Sequence, residues 1–201
     1  MPALNEAFIY IIQTLGQLYL LVALLRFILQ LVRADFYNPL SQFTVKATQP
    51  VLAPLRRIIP SVGRIDLAGL VLVLLVQFIV IVSILAVAQQ PVMHLLPLIL
   101  IWTPILVASL LLKIFFFALI ISIILSWVAP GSNNPGAMLT QQICEPVLAP
   151  IRNLLPDLGG IDISPIFAFI IINLLQRFVI GGLVASSGLG SSYASLISPF
   201  L

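Results

Sequence analysis

Residues 66–88 read DLAGLVLVLLVQFIVIVSILAVA, an aspartate followed by 22 residues without a charge. A helix needs about 20 consecutive apolar residues to cross the hydrocarbon core of a bilayer. The stretch therefore predicts a membrane span, with Asp66 placed to cap its N-terminus. Upstream, residues 8–32 (FIYIIQTLGQLYLLVALLRFILQLV) form a second span, broken only by polar residues and by Arg26 near its end. Downstream, 97–129 is a 33-residue apolar tract divided by Pro104 and Lys113. We read 109–129 as the span and 93–108 as an interfacial or kinked lead-in. A fourth span covers about 163–183 and ends at Gly181-Gly182. These runs are continuous and rich in leucine and isoleucine, unlike the alternating segments of about 10 residues in a membrane barrel.

The composition agrees with the spans. Hydrophobic residues are 61% of the chain and charged residues 7%, with a mean hydropathy of +1.22. A soluble domain carries roughly 25% charged residues, so bilayer is the solvent that fits. No basic n-region precedes the first apolar segment, since Arg26 is the first Lys or Arg, and the segment is expected to stay as a span.

The chain also resembles itself. Residues 50–66, PVLAPLRRIIPSVGRID, and 146–162, PVLAPIRNLLPDLGGID, agree at 10 of 17 positions. The same offset of 96 pairs Asn38-Pro39 with Asn134-Pro135, Thr44 with Thr140, and Gln77 with Asn173. The expected architecture is an all-α membrane protein of four transmembrane helices in two parallel two-helix repeats. Residues 1–92 form the first repeat, with its motif loop at 33–65, and 93–201 form the second, with its loop at 130–162. An even number of spans per unit puts both motif loops on one membrane face, unlike an inverted repeat. The first loop carries Arg33, Lys46, Arg56, Arg57 and Arg64 against Asp35, while the opposite face offers Glu6 and His94. The positive-inside rule then places the loops in the cytoplasm and the termini outside.

Within the loops, Pro50, Pro54 and Pro60 each remove a backbone donor, which leaves room for about one helical turn in LRRII. Gly63 is expected to turn the chain into Asp66. Pro146, Pro150, Pro156, Gly159 and Asp162 repeat the pattern. Arg56, Arg57 and Arg152 are expected to reach lipid phosphates from the headgroup region. The paired loops are then a structural anchor or a docking surface for a partner or an anionic lipid. Inside the spans, Arg26 shares a face with Gln30 and Arg33 and is expected to snorkel toward the cytoplasmic side. Gln77 and Asn173 lie mid-span, either as helix-joining amides or as a polar site on the repeat axis. Arg177 lies one turn beyond Asn173 and points toward the outer interface.

Nothing in the sequence assembles a catalytic or cofactor site. His94 is the only histidine and Cys144 the only cysteine, so neither a zinc set nor a bis-histidine haem site can be built within one chain. The reading is therefore of a protein that is not an enzyme and has no cofactor. Its net charge of +3 is a matter of membrane topology and implies no nucleic-acid partner.

Two spans per unit, Asn-Pro after the first, then Pro-x-x-x-Pro-x-Arg, a further Pro, Gly and Ile-Asp, resemble the YggT family of bacterial membrane proteins. The resemblance covers 21–88 and 109–183, and the tandem form is similar to proteobacterial members. It implies a multi-pass inner-membrane protein linked to osmotic stress and potassium uptake, with plastid relatives linked to haem attachment. The expected function is a non-enzymatic assembly or stress-tolerance factor that works with membrane lipids and a membrane protein partner or a second copy of itself. The alternatives are a component of a potassium-type transport or channel system and a cytochrome maturation factor. The second motif departs from the first where Asn153 and Gly160 replace Arg57 and Arg64.

Overall fold

A computed structural model describes residues 2–63, 65–128, 134–156, 162–188 and 193–197. Among these residues all regular structure is helical. In chain order the elements are α1 (Pro2–Leu31), α2 (Pro39–Ile58), α3 (Leu67–Val87), α4 (Val92–Val128), α5 (Pro135–Arg152) and α6 (Ser164–Leu174). A π-helical turn, Leu175–Ile180, continues α6 into α7 (Gly181–Ser186), and α8 (Ala194–Ile197) follows. Among the described residues four segments are long and apolar enough to span a bilayer: Ala3–Leu31, Leu67–Val87, Val92–Ser126 and Ser164–Ser186. The chain is a multi-pass membrane protein.

The third span is longer than its expected core of 109–129: residues 93–108, expected as an interfacial or kinked lead-in, belong to a single 37-residue helix that contains Pro97 and Pro104. At 1.5 Å per residue that helix is roughly 55 Å long, well beyond a hydrocarbon core of about 30 Å. A proline inside a membrane helix is tolerated because neighbouring helices can compensate for the lost backbone bond.

The connections between spans are corrected. In place of a loop with one turn, 33–65 contains the 20-residue helix α2, with Pro50 and Pro54 inside it. The prolines are four residues apart, so both fall on one exposed stripe with Lys46. The carbonyls that lose a donor, those of Lys46 and Pro50, lie on the same stripe. On the opposite face Ser41, Thr44, Thr48 and Leu52 are buried at helical spacing. Asn38 starts the helix: its side chain accepts a hydrogen bond from the Leu40 N–H at 2.9 Å, and Pro39 occupies the first turn. Asn134 and Pro135 start α5 in the same way, with the Gly136 N–H donating at 2.9 Å, and Pro146 and Pro150 lie within it. Gly63 takes the expected positive φ of +59°, between Val62 and Ile65, which exchange backbone hydrogen bonds.

The core lies where α1, α3 and α4 meet. Leu20, Leu24 and Ile28 of α1, Leu72, Ile81 and Ile84 of α3, and Ile99, Trp102 and Leu106 of α4 are all buried. Gly16 allows α1 close to α3, since a Cβ there would lie 2.7 Å from a Val80 methyl. The fourth span packs along α4 and α5. It is tied to α4 by Gln176 donating to Ser109 at 2.8 Å and by the Trp102 indole donating to the Ser187 carbonyl at 3.1 Å.

Candidate functional site

The motif helices come together at one end of the bundle. The Asn38 side-chain amide donates to the Pro135 carbonyl at 2.7 Å, and the Asp35 N–H donates to the Gln142 side chain at 3.1 Å. These two bonds set the start of α2 beside the start of α5.

The arginines of the motif are engaged within the protein. Arg56 pairs with Asp66 at 2.5 Å and also donates to Gln30 at 2.7 Å. Asp66 stands at the head of α3, but its carboxylate makes no capping bond there. It is nearly inaccessible, with 3% of its side chain exposed, against 36% for Arg56. At the positions 96 residues later, Arg152 pairs with Asp162 and with Glu145, each at 3.1 Å, in a more open setting. Asp162 also accepts from the Ser164 N–H, the first of α6, at 2.9 Å. Burial works against ionisation of Asp162, but the Ser164 bonds and Arg152 outweigh it and hold the carboxyl below its ordinary range. The same geometry raises Arg152: burial opposes its charge, and Glu145 and Asp162 more than restore it.

Arg56 and Arg152, expected to extend to lipid phosphates, are each engaged by a carboxylate of the chain, with 36% and 46% of their side chains still exposed. A turn brings an aspartate ten residues on in sequence back against each helix end, and the guanidinium meets it. Arg57 is exposed and makes no side-chain hydrogen bond among the described residues. Pro60 and Pro156 follow the ends of the two motif helices, while Gly159, Gly160 and Arg64 lie outside the described residues.

Arg26 does not snorkel. It is 7% exposed, and its guanidinium donates to the Val45 carbonyl and the Thr48 hydroxyl, both at 3.0 Å, and to Gln49 at 3.2 Å. α2 folds back against the end of α1 and offers these oxygens within hydrogen-bond reach.

A cavity of about 540 Å³ opens between the end of α1 and α2, and Arg26, Gln30, Arg33, Gln49 and Arg56 are among its lining residues. A second cavity of about 540 Å³ lies beside α5. Its lining includes Ser122, Ser126, Gln141, Glu145 and Arg152, which follow Arg26, Gln30, Val45, Gln49 and Arg56 by 96 residues each. The two cavities occupy equivalent positions of the sequence repeat and differ in charge. The first holds three arginines on its walls and no carboxylate; the second holds Arg152 with Glu145 and Asp162. Cys144 lines the second cavity, but burial and the neighbouring Glu145 push its thiol up to about 12, which leaves it a poor nucleophile at neutral pH.

The two mid-span amides are not brought together. Gln77 is fully buried in α3, and neither its oxygen nor its nitrogen has a hydrogen-bond partner. Asn173 is exposed on α6 and donates to the Phe169 carbonyl of its own helix at 2.8 Å. The reason is the packing order. α3 sits between α1 and α4, whereas α6 packs on α4 and α5, so equivalent sequence positions face different surroundings. Arg177 is exposed within the π-helical turn. Among the described residues no group of three or more His, Cys, Asp or Glu could hold a metal ion.

Sequence reasoning named Arg56, Asp66, Arg152 and Asp162 but missed that they pair. The signal was present as Arg-x9-Asp in both motifs. Nor does the sequence single out Ser41 and Gln49, because the prolines of α2 point to a loop, and loops carry no faces.

The family model described as CCB3/YggT matches the chain twice, over residues 5–88 and 101–183. A protein of Pseudomonas aeruginosa is 62% identical over 189 residues, covering 94% of this chain and 96% of its own. A protein of Escherichia coli K12 named YggT is 38% identical over 170 residues, covering 85% and 87%. A chloroplast protein of Arabidopsis thaliana named YlmG homolog protein 2 is 37% identical over 65 residues, covering 31% of this chain and 24% of its own. No solved structure matches.

Proposed function

We propose that this chain, which belongs to the CCB3/YggT family, is a non-enzymatic assembly or stress-tolerance factor of the bacterial inner membrane. It acts through the layer formed by α2 and α5, on lipids and on a membrane protein partner. The observation that carries the reading is α2 itself. It is a 20-residue amphipathic helix whose buried face is Ser41, Thr44, Thr48 and Leu52, and whose other face exposes Phe43, Val51 and Ile58 beside Lys46 and Arg57. A helix with apolar and basic residues together on its free face suits a membrane surface or a partner lying on it. To test it, a photo-crosslinking residue placed at Phe43 in native membranes should yield one discrete protein adduct in stoichiometric amount. The same residue at Ile79, exposed on α3, should yield lipid adducts only. Lipid alone at both positions would refute a partner on α2.

The proposed orientation puts the motif end in the cytoplasm. It is supported by Arg33, Lys46, Arg56 and Arg57 at that end, against Glu6 and His94 toward the other. Cysteines introduced at Ser61 and at Met93, both exposed, should label from inside and outside respectively. Buried Cys144 should stay silent in the folded protein. Reversed labelling would overturn the orientation.

A further inference from the structure

We infer that the cavity between the end of α1 and α2 is an anion site that takes a phosphate group, carried by an anionic phospholipid or by a soluble phosphate. The inference goes beyond the assembly reading and does not depend on it. Arg26, Arg33 and Arg56 converge on the cavity walls, and Asp66, which pairs with Arg56 and also acts on Arg26 through space, is one carboxylate against three guanidinium groups. Two positive charges are therefore left facing a space of about 540 Å³. Arg26 and Ser41 both line this space, are 7% and 4% exposed, and each keeps a buried polar atom, Nε and Oγ, without a hydrogen-bond partner.

Buried polar groups in folded proteins are almost always satisfied. A hydroxyl and a guanidinium N–H left open beside uncompensated positive charge call for a ligand rich in acceptors. Phosphate supplies several acceptor oxygens and the opposite charge, and guanidinium geometry matches it. Phe36 and Leu29 add apolar wall, which suits a headgroup entering with its glycerol attached. The equivalent cavity beside α5 provides an internal contrast. Serines replace Arg26 and Gln30 there, and Glu145 and Asp162 face the space, a lining that repels anions.

The test uses the full chain purified in detergent, with two probes. Retention of phosphatidylglycerol against phosphatidylcholine is read by native mass spectrometry, and binding of inorganic phosphate by calorimetry. Arg33→Gln should weaken binding roughly fivefold, the loss expected for one charge at such a site. Arg177→Gln removes the same charge on the fourth span, outside the cavity, and should leave binding unchanged. Ser41→Ala removes a hydroxyl whose oxygen has no partner in the fold, and should weaken binding about threefold while thermal unfolding stays unaltered. Phosphatidylglycerol selectivity without phosphate binding assigns the headgroup; phosphate binding alone assigns the soluble source. Equal effects of Arg33→Gln and Arg177→Gln, no effect of Ser41→Ala, or no binding of either probe would overturn the site.

Discussion

Asp66→Asn should destabilise the detergent-solubilised protein by about 2–3 kcal/mol, while the same change at the equivalent Asp162 should cost less than about 1 kcal/mol. The two aspartates share a sequence motif and an arginine partner, so the difference comes from surroundings alone. Asp66 is 3% exposed, and its pair with Arg56 stands next to a cavity that already holds Arg26 and Arg33. Removing its charge leaves three guanidinium groups together without a counter-ion in a medium that screens them poorly. Asp162 is 41% exposed, and Arg152 keeps Glu145 when it is lost.

Thermal unfolding of both variants checks the ordering, and a cycle with Arg56→Gln isolates the coupling. Arg56→Gln with Asp66→Asn should recover part of the loss, because the surplus charge goes with its partner. Equal effects at 66 and 162 would show that burial does not separate the pairs. The pH dependence follows for the second pair. The Asp162 carboxyl is held below its ordinary value in the folded protein. The stability it contributes is present above its unfolded pKa of about 3.9 and is lost as pH falls through the folded value.

The spans were legible in the sequence because their signal is local. Twenty apolar residues in a row, as at 67–87, leave few other choices. The parts that were missed depend on which face a residue takes. Pro50 and Pro54 read as helix breakers, since a proline costs a backbone bond wherever it sits. Only the periodic burial of Ser41, Thr44, Thr48 and Leu52 outweighs that cost, and it becomes visible once α2 is packed against α1 and α3. The Asn-Pro pairs at 38–39 and 134–135 were the available clue, as N-cap followed by proline in the first turn. Arg26 illustrates the same limit. Its depth in the span predicts snorkelling, but its destination is set by oxygens of α2, whose faces only packing reveals.

Gln77→Leu should stabilise the protein, by about 1–2 kcal/mol, and this is the reverse of what an amide joining two helices would give. The side chain is fully buried, with neither its oxygen nor its nitrogen bonded. Each unmet polar atom carries a desolvation cost that leucine, of similar volume, does not incur. Asn173→Leu should be close to neutral, because Asn173 faces outward and bonds only to its own helix. The two effects should add to within about 0.5 kcal/mol, since the residues share no partner. Thermal unfolding of the singles and the double in one detergent decides this. A loss of stability in Gln77→Leu would mean that the amide is satisfied after all, by a water within the bundle. A gain in stability raises a sharper question, because an unmet amide at the centre of α3 then stands there at a net cost to the fold. An expensive polar group inside a membrane span is a functional candidate by default. Under the proposed stress-tolerance role, the stabilised Gln77→Leu protein should accumulate normally and fail to protect cells against osmotic stress, while Asn173→Leu protects as well as the unaltered chain. Full protection by Gln77→Leu would reduce Gln77 to a packing defect and leave the function with α2 and α5.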